Sequence, residues 1–73
     1  MYYIYVLKNK SGDFYIGYTK NLKQRVEQHK NKKIDFRLVY CEAYLTERLA
    51  RVRERKLKYY GSAWRALKER ILA

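Results

Sequence analysis

The chain opens on an almost unbroken run of β-branched and aromatic side chains, YYIYVLK at residues 2–8, and the same composition returns in FYIGYT at residues 14–19. Between them NKSGD brings together Asn, Ser, Gly and Asp, residues that turns favour because they tolerate unusual backbone angles or bond to the backbone locally. The pattern predicts an antiparallel hairpin. With its turn centred near Lys10, Tyr5 and Tyr15 stand opposite each other and share one face of the sheet.

The period then lengthens. Asn21, followed three positions later by Gln24, resembles a capping box, and Leu22 and Val26 stand one turn apart, so residues 22–31 are expected to be helical. DFRLVYCEAY, residues 35–44, alternates again, with Phe36, Leu38 and Tyr40 against Arg37, Val39 and Cys41, the pattern of a third strand covered partly on both faces. Thr46 is a good N-cap, and Leu45, Leu49, Val52 and Leu57 recur at helical spacing before Gly61, which predicts a helix over residues 46–60 closed by that glycine. Ser62 then caps a last short helix carrying Ala63, Trp64, Leu67 and Ile71.

The order β, β, α, β, α, α describes an α+β fold: a three-stranded mixed sheet, the N-terminal hairpin plus one further strand, covered by about three helices. The RNA recognition motif, with its βαββαβ order, does not match. A chain of 73 residues holds one domain, 1–73, around one small core. Its net stability is expected at roughly 4–11 kcal/mol, from about 0.05–0.15 kcal/mol per residue.

Charge shifts attention from fold to partner. Lys and Arg number 18 against 7 Asp and Glu, a formal net charge of +11. Like charge at that density opposes compaction and suits a polyanion. Nucleic acid is expected rather than a membrane, because MYYIYV has neither a clean amphipathic face nor a lipidation signal. The lone Cys41 allows no intramolecular disulfide and no multi-cysteine metal site, which fits a reducing compartment. No apolar run approaches the roughly 20 residues of a membrane span, and the start lacks a basic leader with a cleavage site, so a cytoplasmic protein is expected.

Several residues stand out against this pattern. Arg25 and His29 lie at i and i+4, bordering the Leu22 and Val26 stripe. Glu54 flanks the apolar stripe of the long helix among Lys and Arg, where a surface salt bridge alone contributes at most about 1 kcal/mol. Gly17, two positions beyond Tyr15, has no side chain to pack and in a strand marks a close approach by backbone or ligand. Singly, each has an ordinary explanation: snorkelling for Arg25, an edge position for His29, aromatic cross-strand pairing for Tyr5 and Tyr15.

Together they form an ordered set. Tyr3-Ile4-Tyr5, Tyr15-Ile16-Gly17, NLKQRVEQH with Arg25 and His29, and ARVRERKLKYYGS with Glu54 follow one another as in the GIY-YIG nucleases, which the chain resembles over essentially its whole length. It is similar to small stand-alone bacterial members, in which YIGYT and a KYYGSAWRALK-like tail recur, and to the N-terminal domain of the excision nuclease C subunit. Tyr3 stands where the first motif has Gly, and Tyr18 where the excision nuclease has lysine.

The resemblance implies a metal-dependent endonuclease that hydrolyses phosphodiester bonds, in DNA rather than RNA, in DNA repair or processing. Tyr5 would be the base, and Arg25 would bind the scissile phosphate with its planar fork of donors. Glu54 would be the sole protein ligand of a single Mg²⁺ or Mn²⁺. Tyr15 would orient the water or Tyr5, and His29 would contact phosphate or relay a proton. Tyr18, Lys20, Lys23, Arg25 and Lys58 are the expected nucleic-acid contacts. A phenol with a reference pKa near 10 is only about one part in a thousand ionised at pH 7, so Tyr5 needs cations beside it. The alternative is a catalytically weak or inactive binding module whose tyrosines stack on bases, acting within a larger complex, with a partner protein or self-association as the further expected contact.

Overall fold

The computed structural model describes residues 1–31 and 35–72, the side chains of 29–31 excepted. Strand β1 (Tyr2–Lys8) turns back through Asn9–Asp13 into β2 (Phe14–Thr19). Asn9 and Asp13 close that turn reciprocally. The Asp13 amide donates to Asn9 Oδ1 at 2.8 Å and the Asn9 amide to the Asp13 carbonyl at 3.0 Å, while Gly12 adopts φ 90°. That positive φ belongs to glycine, which has no Cβ to clash.

This turn is centred one residue later than expected, at Ser11. The register pairs Tyr5 with Gly17 and Leu7 with Tyr15, in place of the expected Tyr5–Tyr15 pair. The slip amounts to two residues along β2, so each side chain keeps its face and Tyr15 becomes the diagonal neighbour of Tyr5.

Helix α1 (Leu22–Asn31) follows, with the Gln24 amide donating to Asn21 Oδ1 at 3.0 Å as the capping residues predict. Strand β3 (Arg37–Tyr44) pairs with the other side of β1, giving the order β2-β1-β3. Both pairings are antiparallel, so the sheet is not mixed: β2 and β3 run the same way but never touch. The alternation expected of β3 also breaks. Val6 pairs with Tyr40 and Leu7 with Leu38, leaving Val39 as the extra residue of a bulge, so Leu38 and Tyr40 lie on opposite faces.

Helices α2 (Glu47–Tyr59) and α3 (Gly61–Leu72) cover the face that carries Ile4 and Val6, and these pack with Ala50, Leu57 and Leu67 into the core. Burying each large aliphatic side chain contributes about 1.5–3 kcal/mol. The buried stripe of α2 is Ala50 and Leu57. Leu45, which precedes α2, is 80% exposed, and on the helix Leu49 is 52% exposed and Val52 is also exposed, because they stand off the side that carries Ala50 and Leu57. Nor does Gly61 close α2. Tyr60 does, in extended conformation: its amide donates to the Lys56 carbonyl at 3.0 Å, and its own carbonyl accepts from Ala63 at 3.1 Å to begin α3, whose first residue is Gly61.

One ion pair ties α2 to β3. Arg53 donates from Nε to Glu42 Oε1 at 3.0 Å and from Nη2 to Oε2 at 3.1 Å, and the hydroxyls of Tyr40 and Tyr44 donate to the same carboxylate. Tyr40, Glu42 and Tyr44 alternate along β3 beyond the bulge and so share a face. Burial pushes the Glu42 carboxyl up, but Arg53 and the two hydroxyls outweigh it and hold the group below the usual carboxylate range. Burial and then the bond to Glu42 push Tyr44 up to about 12.

Candidate active site

Tyr5 is the centre of the opposite face. It projects from the middle strand toward the side on which α1 lies and is 1% exposed. Its ring lies over Gly17 on β2: a Cβ there would overlap the Tyr5 hydroxyl and stand 2.8 Å from Cε1. Gly17 therefore makes room for a neighbouring side chain, where a backbone or ligand approach was expected. Tyr15 sits beside it with ring centroids 6.3 Å apart, and the two phenols share a hydrogen bond. Phe36 closes against Tyr15 edge-on at 6.5 Å.

Two charges from different helices act on the Tyr5 hydroxyl. Burial pushes the phenol above its ordinary value of 10.0, Tyr15 adds to this, Arg25 of α1 opposes it, and Glu54 of α2 adds to it again. The structure thus brings Tyr5, Tyr15, Arg25 and Glu54 into one neighbourhood. Arg25 lowers the pKa as a cation should, but burial outweighs it.

Glu54 is 16% exposed and held from both sides: Arg51 Nη1 donates to Oε1 at 3.3 Å and Lys58 Nζ to Oε2 at 3.1 Å. Arg51 also reaches Glu47 at 3.6 Å, and its guanidinium lies 3.8 Å from the centroid of the Tyr18 ring. Beside it a hollow of about 580 Å³ is lined by Tyr18, Lys20, Gln24, Arg25, Glu47 and Arg51 among others. Lys20 and Arg25 are exposed there. Lys23 lies in a separate hollow with Tyr3, Leu22, Val26 and Leu38. Tyr18 packs against the core, stacks on Tyr2 at 6.5 Å, and encloses a hydroxyl with no hydrogen-bond partner among the described residues. His29 stands on α1, but its side chain lies outside the described residues.

Sequence reasoning missed Arg51 and the Glu42–Arg53 pair. Arg51 was legible in principle, since it precedes Glu54 by three positions and so shares a helix face with it. The Glu42–Arg53 pair joins two elements, and only an acid flanked by Tyr40 and Tyr44 at strand spacing signals it.

Comparisons with known proteins identify the family. The family description "GIY-YIG catalytic domain" matches residues 1–59. The chain belongs to the GIY-YIG family, whose members are typically endonucleases that use divalent metal ions. It is similar to UPF0213 protein SSP2268 of Staphylococcus saprophyticus, 36% identical over 68 residues, covering 82% of this chain and 83% of that one. UPF0213 protein SAV0488 of Staphylococcus aureus is 35% identical, covering 94% and 96%. Among solved structures, the solution NMR structure of UPF0213 protein BH0048 from Bacillus halodurans matches with TM-score 0.63 and 30% identity, over 99% of this chain and 83% of that one. No helix among the described residues is long and apolar enough to cross a membrane.

Proposed function

We propose that the chain is a metal-dependent endonuclease acting on DNA, with Tyr5, Tyr15, Arg25 and His29 as its catalytic side chains and Glu54 as its metal ligand. The observation that carries this reading is that the hydroxyl of Tyr5 on β1 lies within electrostatic reach of a guanidinium from α1, Arg25, and of a carboxylate from α2, Glu54. A basic binding surface alone needs no acid at that point.

A single carboxylate fits Mg²⁺ or Mn²⁺, which accept one or two protein oxygens and fill the remaining positions with water and substrate phosphate. When bound, such an ion neutralises charge on the phosphate and lowers the pKa of water. Arg51 and Lys58 each hold one oxygen of Glu54, so Glu54 would hold the ion once those two cations turned to the phosphates of a bound strand. Metal affinity therefore depends on nucleic acid.

Arg25 binds two non-bridging oxygens of the scissile phosphate and stabilises the charge that grows there. Tyr5 Oη is the proton-transfer atom. In the free protein it holds its proton, since burial keeps its pKa above 10.0. Arg25 is the cation that favours the phenolate; the ionised fraction, with Tyr15 as hydrogen-bond partner, accepts the proton that the attacking water gives up. Lys20, Lys23 and Lys58 hold flanking phosphates. Tyr18, packed beneath Arg51, supports that guanidinium by cation–π contact more than it offers a free hydroxyl.

The rival reading, an inactive binding module, draws on the same clamp around Glu54, which gives each carboxylate oxygen a cationic partner in the free protein. Labelled duplex, flap, junction and single-stranded substrates incubated with Mg²⁺, Mn²⁺ or EDTA separate the two. Cleavage that EDTA stops and Tyr5→Phe abolishes supports the nuclease. Tight binding without cleavage of any substrate supports the binding module.

A further inference from the structure

The outer edge of β2 borders a cleft of about 380 Å³ lined by Phe14, Tyr15, Ile16, Leu57, Lys58 and Trp64. That volume lies at the lower end of the roughly 300–1,000 Å³ typical of small-ligand pockets. Trp64 meets Phe14 edge to face, with centroids 5.2 Å apart at 72°, and Tyr15 is 46% exposed. None of the lining side chains is acidic. Lys58 lines the cleft, and Lys8 and Lys68 each hold an ammonium group 5.6 Å from the centroid of Phe14 in its wall, so positive charge borders an aromatic hollow.

Position gives the cleft its meaning. Tyr15 shares a hydrogen bond with Tyr5, and Lys58 holds Glu54, so the cleft and the candidate active site have two residues in common. A duplex keeps its bases stacked within the helix and offers an aromatic hollow nothing to fill it. An unpaired nucleotide offers a flat π face with phosphates on either side, which matches aromatic walls bordered by lysines.

We infer that this cleft is a stacking subsite for an unpaired nucleobase adjoining the scissile phosphate, with Trp64 and Phe14 receiving the base and Lys8, Lys58 and Lys68 the flanking phosphates. The inference rests on the nuclease reading and narrows its substrate to strands unpaired at the cleavage position.

Trp64 is the chain's only tryptophan, so its emission reports on the cleft directly. The full chain is titrated in EDTA with a short single-stranded DNA, with an equally long and equally charged strand of abasic residues, and with duplex DNA. Single-stranded DNA quenches Trp64 strongly, while the abasic strand and the duplex bind with little quenching. Equal quenching by the abasic strand, or stronger quenching by duplex, overturns the subsite. Trp64→Leu lowers affinity for single strands roughly 5- to 150-fold and leaves duplex affinity unchanged; an equal loss for both overturns it as well. If that variant fails to fold, the emission comparison on the unaltered chain still decides. Because the titration needs no cleavage, a chain that stacks bases but never cuts refutes the nuclease reading alone.

Discussion

Tyr5 lies across Gly17, its ring filling the space that a side chain on β2 would need. The pairing of these two residues in the register makes the missing Cβ a condition for burying a phenol at the centre of the sheet. Gly17→Ala forces the ring aside. Overpacking of this kind costs about 1–3 kcal/mol, and the displaced hydroxyl takes cleavage with it. Gly12→Ala, at φ 90° in open space, serves as the control: it strains the turn but leaves the rate per folded molecule unchanged. Denaturant melts and cleavage assays on both variants check this.

The raised pKa of Tyr5 predicts an alkaline profile. If the phenolate accepts the proton, the active fraction grows roughly tenfold per pH unit below the pKa. Because burial moves that pKa above 10.0, the rate keeps rising through pH 9 without a plateau. Single-turnover rates from pH 6 to pH 10 measure it. A flat profile would remove Tyr5 from the base role.

Arg25→Ala should lower the rate on the order of 10²–10³, the usual loss on deleting a donor that stabilises transition-state charge. Arg25 is exposed on α1, so the fold should survive and circular dichroism should be unchanged. Arg25→Lys should restore little, since an ammonium cannot copy the two-pronged contact.

The Glu42–Arg53 pair predicts a stability effect instead. Arg53→Ala leaves a half-buried carboxylate with two tyrosine hydroxyls only, and should destabilise by on the order of 2–3 kcal/mol. Against an expected total of roughly 4–11 kcal/mol this is a large share. The folded pKa of Glu42 is depressed, so its contribution is present above the unfolded value near 4.3 and is lost as pH falls through the lower folded value. Urea melts between pH 7 and pH 3 should show that acid limb, and Glu42→Gln should flatten it.

Much of this was legible in the chain. The element order and the Asn21 and Thr46 caps followed from local chemistry, because a cap or a turn is decided by neighbours a few positions away; the candidate site residues came from the resemblance to the GIY-YIG nucleases. Register was not. Gly12 is the natural place in NKSGD for a positive φ, but that preference alone does not say how many residues the turn spans, and so whether it centres on Lys10 or Ser11, before the Asn9–Asp13 bonds are seen. The bulge at Val39 escaped for the same reason: alternation in sequence assumes an unbroken ladder. The apolar spacing of Leu45, Leu49, Val52 and Leu57 pointed to a face of which the structure buries only Leu57, with Ala50 taking the other buried place on α2.

The most direct test of the central claim is the cleavage rate of Glu54→Ala beside the unaltered chain, on the best substrate and with Mg²⁺ or Mn²⁺. Its ion pairs with Arg51 and Lys58 lie at the surface and contribute at most about 1 kcal/mol each, so the fold and the affinity for nucleic acid should persist. EDTA-sensitive cleavage should vanish. A variant that still cuts at the original rate would contradict the account.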